Sequence, residues 1–386
     1  IVADNDDNVY LTGSFTDSLF YNNTFLIKGD AIKIQSFILK INPEGNVIWV
    51  RKLEADVAVM ARTITKGQGG EMIISGSFEG NGNFGAGFSA GNNGGMDGFL
   101  IKISGASGNT TFMRTFGGPE NDTVLQHFTD NQNNYYLAGD FRQTVDFDPG
   151  PAQQLKSNMG MADGYVLKLS ATGNFVWVRT FGSSGLDQAV SLTADGQRNV
   201  IVTGSFSNSV NFSESGNPAQ SKGSTDIFLV KLDEFGSTQW YNTYGDSLQD
   251  AGSRVIVNTN GIIYLAGSFR TKADFNPSPE FNNGTDSNGG TDGFIALYNQ
   301  DGTYNEHFTL GGMANDQIND LALKSNGELV SVGAFGAITD FDPSSSESNI
   351  FSTGGLDGFL WNTFICVNPY IKNVRAFKPE ICPGEK

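Results

Sequence analysis

The chain has few of the residues that most catalytic and metal-binding sites are built from. It holds two histidines, His127 and His307, and two cysteines, Cys366 and Cys382, in 386 residues. No zinc-ligand pair, nucleophile elbow or phosphate-binding loop can be assembled from them. Positive charge is scarce too: 24 Lys and Arg face 41 Asp and Glu, a net charge of −17. Such a surface repels phosphate backbones and anionic headgroups, which disfavours nucleic acid and acidic membrane as partners and favours cations. No apolar run approaches the ~18 residues that cross a bilayer, and no charged-then-apolar leader opens the sequence. Membrane insertion is therefore not expected, and any targeting signal has been removed or lies outside these residues. Cys366 and Cys382 sit together beyond the patterned part of the chain. They read as one local disulfide in an oxidising compartment, with two free buried thiols as the alternative.

What is plentiful is turn chemistry. Glycine numbers 49, and Ser, Asn and Asp crowd the stretches between short apolar segments. The pattern recurs: Gly13-Ser14-Phe15, Gly76-Ser77-Phe78, Gly139-Asp140-Phe141, Gly204-Ser205-Phe206, Gly267-Ser268-Phe269 and Gly333-Ala334-Phe335 are spaced by 63, 63, 65, 63 and 66 residues. A near-constant period of this length marks a repeat architecture.

The third repeat shows the unit. Val124–Phe128 and Tyr135–Phe141 flank an Asn/Asp turn, and Asp163–Leu169 and Phe175–Phe181 flank a second turn at Ala171–Asn174. Each pair reads as an antiparallel hairpin, so each repeat holds four strands. Lys168 and Arg179 interrupt the apolar residues about where a sheet face should meet water. Four-stranded sheets repeated radially are the blades of a β-propeller, with the recurrent aromatics buried between blades. A solenoid would repeat every ~20 to 30 residues and need no second hairpin. The expectation is an all-β, six-bladed β-propeller over 1–365, with blades near 1–59, 60–122, 123–187, 188–250, 251–316 and 317–365. A seventh blade would have to come from sequence outside this chain.

Three strings carry a family resemblance: Asp7-Asn8-Val9-Tyr10-Leu11-Thr12-Gly13-Ser14-Phe15, Asp97-Gly98-Phe99-Leu100-Ile101-Lys102-Ile103, and Gly173-Asn174-Phe175-Val176-Trp177-Val178-Arg179-Thr180-Phe181-Gly182. Recurring through residues 1–365, they resemble the β-propeller repeat family called SBBP. The resemblance implies part of a large secreted or surface protein, of the kind found in Bacteroidota, with no catalytic residue in the repeat. The family name refers to seven blades. The first repeat begins partway through its first strand, and the last has no recognisable fourth strand after Asp357–Trp361, so a strand from upstream of Ile1 would complete the ring. Residues 366–386 resemble a linker or the opening of a following immunoglobulin-like domain.

Carboxylates repeat with the fold. Asp122, Asp187, Asp250 and Asp316 lie 17 residues before the repeated glycine, where Val59 breaks the series. Radial symmetry would gather them at one mouth of a central channel, able to hold a hard cation. The alternative is that each accepts backbone N–H groups at the turn between blades. Asp97, Asp163, Asp226, Asp292 and Asp357 open the third strand, with Ser36 taking that place in the first repeat. Asp146-Phe147-Asp148-Pro149, Asp274-Phe275-Asn276-Pro277 and Asp340-Phe341-Asp342-Pro343 form acidic turns around a recurrent aromatic. Calcium is the one cofactor these turns would take. They lack the spacing and distal Glu of an EF-hand, and an Asx-Pro turn needs no metal.

Strict repetition argues for scaffold, because a unique transition state needs one blade to differ from the others. His127 falls on an apolar strand position, and His307 neighbours Glu306 with the two side chains on opposite strand faces. The reading is a non-catalytic structural or recognition module of a secreted or cell-surface bacterial protein, binding an extracellular protein or glycan through its variable loops. The competing reading is an extracellular propeller glycan hydrolase or lyase using carboxylates on one face.

Overall fold

The computed structural model describes residues 1–214, 216–278, 284–341 and 349–364. It is an all-β chain of antiparallel sheets that follow one another in sequence. Sheet one pairs Val2–Ala3, Val9–Phe15, Gln35–Ile41 and Val47–Ala55 in that order. Sheet two contains Ala58–Lys66, Glu71–Glu79, Asp97–Ser104 and Thr110–Phe116; sheet three contains Thr123–Thr129, Tyr135–Phe141, Asp163–Leu169 and Phe175–Phe181. Sheet four contains Gln188–Ala194, Val200–Phe206, Asp226–Leu232 and Thr238–Tyr244. Sheet five contains Ala251–Val257, Ile263–Ala273, Thr285–Tyr298 and Tyr304–Gly312. Sheet six has three strands among the described residues, Gln317–Leu323, Glu328–Asp340 and Asn349–Phe364. Asp342, Cys366 and Cys382, with the disulfide and following-domain expectations, lie outside the described residues.

Alternation sets the two faces of each sheet. In the third sheet Tyr165 and Leu167 face the second sheet, packing with Leu100 and Phe116, while Val166 faces the fourth, packing with Val200 and Val202. Three aromatics recur within the sheets. Phe141, Phe147 and Tyr165 meet at centroid distances of 5.3 and 5.0 Å, and Phe206, Phe212 and Phe228 at 5.3 and 5.0 Å. Phe78–Phe84–Phe99, Phe269–Phe275–Phe294 and Phe335–Phe341–Phe359 repeat the cluster. Such tilted and edge-on contacts add to the apolar area these rings bury.

Consecutive sheets are joined by one repeated backbone bond. The N–H of Val59, Asp122, Asp187, Asp250 and Asp316 donates to the carbonyl of Ile34, Met96, Ala162, Thr225 and Thr291, at 2.9, 2.6, 2.9, 2.9 and 2.6 Å. A second tie runs outward from the ends of sheets one, three and four. Trp177 Nε1 and Lys168 Nζ both donate to Glu234 O, each at 3.0 Å, and Trp240 and Lys231 do the same to Gln300 O.

Two expectations need correction here. Lys168 does not meet water: it is buried, with its ammonium on the Glu234 carbonyl and 5.0 Å from the Tyr136 ring centroid. The place of the third-strand aspartate in sheet one is filled by Gln35, not Ser36, because Gln35 pairs with Phe15 as Asp163 pairs with Phe141.

Candidate functional site

The repeated carboxylates before the first strands are fully enclosed. Asp122, Asp187, Asp250 and Asp316 are 0, 1, 0 and 0% exposed. One oxygen of each accepts the N–H four residues earlier, from Gly118, Ser183, Asp246 and Gly312 at 2.6, 2.6, 3.0 and 2.8 Å. The other accepts the N–H twenty residues later, from Arg142, Ser207, Arg270 and Gly336 at 3.1, 2.7, 2.9 and 3.0 Å. Each thus clips the turn entering a sheet to the end of that sheet's second strand. The structure places these side chains in the joints between sheets, and none lines the cavity where the first strands converge.

The third-strand aspartates sit in the same joints. Asp97, Asp226 and Asp292 each accept one N–H, from Asn93, Lys222 and Asn288 at 2.9, 3.0 and 2.8 Å, while their Oδ1 atoms are buried without a partner. Burial raises Asp97, Asp122 and Asp292 to about 7 and Asp163 and Asp250 to about 6. The nearby Asp97 charge adds to the rise at Asp122. Crowding at these pairs explains the glycine between them. A Cβ on Gly245 would lie 2.8 Å from Asp250 Oδ2 and 2.9 Å from Asp226 Oδ1.

In the acidic turns, Asp146 Oδ1 accepts N–H bonds from Asp148 and Gln154 at 3.1 and 2.9 Å, and Asp148 Oδ1 accepts from Gly150 at 2.7 Å. Asp274 accepts from Asn276, and Asn276 from Ser278, both at 3.0 Å. Asp340 closes a strand that pairs with Gly311 and Asn349. Among the described residues no three His, Cys, Asp or Glu side chains gather as a metal site.

Both histidines are saturated. His127 contacts Ser75 Oγ and Thr65 Oγ1 at 2.7 and 2.6 Å, and burial lowers it to about 3. His307 contacts Thr285 Oγ1 and Tyr304 Oη, both at 2.7 Å, and burial lowers it as well.

The concave site lies where the first strands of the sheets converge. A cavity of about 580 Å³ is lined by Ile1 and Val2, Arg62–Lys66, Leu125–Phe128, Val190–Thr193, Ser253–Val255 and Asn319–Asp320. Five of these strands carry a β-bulge at one offset, 14 residues before the repeated glycine. The bulged residues are Arg62, Leu125, Val190, Ser253 and Asn319. A bulge re-aims its residue out of the ladder. Here it produces one layer of the cavity wall to which sheets two to six each contribute a different side chain. The neighbouring polar layer ties strands together: Gln126 Oε1 accepts from Leu192 N at 2.7 Å, Ser191 Oγ from Val255 N at 3.1 Å, and Arg254 Nε lies 2.9 Å from Asp320 Oδ1. Sequence reading missed this layer. Its signal was available in residues that vary at a fixed offset within a repeat that otherwise copies itself.

No family model matches the chain, so the SBBP resemblance rests on the quoted repeats. Over 166 residues the chain is 30% identical to the uncharacterized WD repeat-containing protein L264 of Acanthamoeba polyphaga mimivirus, covering 36% of this chain and 12% of that protein. Over 240 residues it is 26% identical to the regulatory protein FlaEY of Caulobacter vibrioides, covering 60% and 24%. It therefore spans a minor part of both relatives. A solved protein of unknown function from Bacteroides caccae superposes with a TM-score of 0.39 at 10% identity, over 76% of this chain and 78% of that one.

Proposed function

We propose that the six sheets are blades of a β-propeller and that the protein is a non-catalytic recognition or structural module of a larger secreted or cell-surface bacterial protein. It binds an extracellular protein or glycan through the cavity mouth and the loops around it. The carrying observation is the contrast within the cavity wall. One layer of bulged residues differs in each of sheets two to six, while the surrounding scaffold repeats. Variation on a rigid frame is where specificity is placed. Asp122, Asp187, Asp250 and Asp316 spend their oxygens on backbone N–H groups inside the joints, and both histidines are held by hydroxyls, which supports binding over turnover. Local identity to a protein named for WD repeats supports a repeat-built reading of part of the chain. The test is a glycan array and an extracellular-protein pull-down with the chain and its Arg62→Ala variant. Capture that weakens in the variant is the expected result. Hydrolysis of a polysaccharide panel, lost on replacing one Asp or Glu, would overturn it.

A further inference from the structure

The charge of the cavity runs against the charge of the chain. Asp and Glu outnumber Lys and Arg by 41 to 24 overall, yet the charged side chains lining the cavity are Arg62, Lys66, Arg254 and Asp320, three cations and one carboxylate. His127 adds no charge there, being buried and neutral with both ring nitrogens on hydroxyls. The three cations are not equivalent. Arg254 is spent on Asp320, its Nε 2.9 Å from Oδ1. Lys66 donates to Asn5 Oδ1, in a turn that also holds Asp4 and Asp6. Arg62 has no carboxylate among the described residues: it is exposed in the cavity wall, and its guanidinium meets only Met60 Sδ, at 3.8 Å.

The rest of the bulged layer tells what an anion bound here would carry. After Arg62, sheets three to six contribute Leu125, Val190, Ser253 and Asn319 in that order. Leu125 and Val190 form an aliphatic stretch on the two sheets that follow the guanidinium. Ser253 Oγ donates to Ile318 O and keeps its lone pairs, and Asn319 is exposed. One unpaired guanidinium, an aliphatic stretch and two uncharged polar groups fit a carboxylate on a short apolar stem. Aromatic faces, on which sugar rings stack, are absent from the layer. The one benzene ring in the cavity wall, Phe128, packs on Tyr136 at 6.3 Å and against the apolar core it shares with sheet four.

We propose that the cavity binds an acidic peptide segment, a Glu or Asp side chain presented by an extracellular protein, and that Arg62 takes its carboxylate. The inference rests on the recognition reading above and narrows its ligand from protein or glycan to protein. A guanidinium can meet a carboxylate through two parallel N–H···O bonds, and such charge-assisted bonds are roughly twice as strong as neutral ones. Selection against neutral peptides comes from Arg62, whose charge loses water on binding and is compensated by a carboxylate but not by an amide. Selection against small inorganic anions comes from Leu125 and Val190, because such anions have no stem to lay on them. Repulsion from the rest of a chain of net charge −17 is largely screened beyond about 10 Å at 0.1 M salt, so the local cation decides.

The test applies the full chain to arrayed pentapeptides, acetylated and amidated so that the central residue is the only ionisable group, with the flanking positions randomised over Gly, Ala, Ser, Leu and Val. Centres of Glu, Asp, Gln and Lys are compared, with inorganic phosphate and oligogalacturonate as competitors. Retention on the Glu or Asp arrays should exceed that on Gln by at least about tenfold and should fall by a similar factor in Arg62→Ala. Arg62→Glu should transfer the preference to Lys peptides, a result that an unfolded chain cannot give. Equal retention on Gln and Glu, or retention that no Arg62 substitution alters, overturns the proposal. So does oligogalacturonate or phosphate binding at Arg62 in place of the peptides. Capture of a neutral glycan or of a protein in the array and pull-down above, without preference for acidic centres here, would leave the recognition reading standing and remove this one. Capture of nothing in either experiment removes both.

Discussion

Sheet four and sheet six are built from the same repeat, yet one is closed on both faces and the other on one. Leu229 and Leu360 occupy the same register position, one wholly buried and the other two-thirds exposed. The difference lies in the neighbours: sheet four has its own fourth strand and sheet five beyond it, and sheet six has neither among the described residues. A repeat of this kind cannot bury its core alone, so residue type in a repeat reports burial only where the next unit is present. The pair gives the largest expected contrast. Leu229→Ala should cost about 2–5 kcal/mol in denaturant unfolding and Leu360→Ala less than about 0.5 kcal/mol. Equal costs would mean that the edge of sheet six is covered in solution.

The joints offer a second comparison, because one of them dispenses with carboxylates. Between sheets one and two, Val59 and Gln35 stand where other joints place a pair of aspartates. Gln35 Oε1 accepts Asp30 N at 2.9 Å, as Asp97 accepts Asn93 N. The shared bond from Val59 to Ile34 shows that the backbone makes the joint and the aspartate secures it. Asp187→Ala should therefore weaken a joint without abolishing the fold. It strands the Ser183 and Ser207 N–H groups in a buried site, at about 1–3 kcal/mol each. Increased hydrogen exchange confined to the strands flanking that joint would confirm the local character of the loss.

The same pair of joints separates in pH. A carboxyl raised in the folded state holds its proton more tightly folded than unfolded. Its contribution is complete below the unfolded value near 4 and is lost as pH rises through the folded value. For Asp97 and Asp122, both raised to about 7 by burial, the window is about pH 4 to 7. Exchange protection around 97–122 should fall across that window, while protection around 35–59 stays level. Asp97→Asn should flatten the fall and raise the melting temperature at pH 8 by on the order of a few degrees. Buried neutral His127 acts in the opposite direction, losing stability as pH drops from about 6.5 toward 3, and so bounds the acid side. A melting temperature that climbs steadily from pH 5 to 8 would contradict the assignment.

These contrasts also mark how far sequence alone could reach. The period of the Gly-x-Phe unit exposes the sheets because the repeats reuse the same turns, and sheets two to six each close the same triad of rings. The joint aspartates were visible as a series, but spacing is blind to which way a side chain faces. Spacing admits both a channel mouth and a backbone clip, and the Gly118 and Arg142 N–H groups that bracket Asp122 make it a clip. Lys168 was misjudged because charge was taken as a sign of water, whereas its stem lies over Tyr136 and its head on a carbonyl. The bulged cavity layer escaped because one inserted residue breaks the two-residue alternation by which strand faces are assigned.

The smallest effect expected is that of calcium. If the acidic turns held a calcium ion, folded-state binding would raise the melting temperature with calcium concentration. In the third repeat, however, Asp146 Oδ1 already takes two backbone N–H groups and Asp148 Oδ1 takes one, in the manner of Asx turns. Those N–H groups point their positive ends into the turn, where a cation would have to displace them. Asp274 and Asn276 repeat the arrangement with one charge fewer. Ligand charge raises affinity for a hard ion, so a real calcium site should favour the Asp146 turn over the Asp274 turn. Millimolar calcium against chelator should therefore leave melting unchanged, and Asp146→Asn, which retains an accepting oxygen, should cost less than about 1 kcal/mol. A calcium-dependent rise abolished by Asp146→Asn and untouched by Asp274→Asn would instead make the third turn a metal site, and would separate it from its counterpart in sheet five.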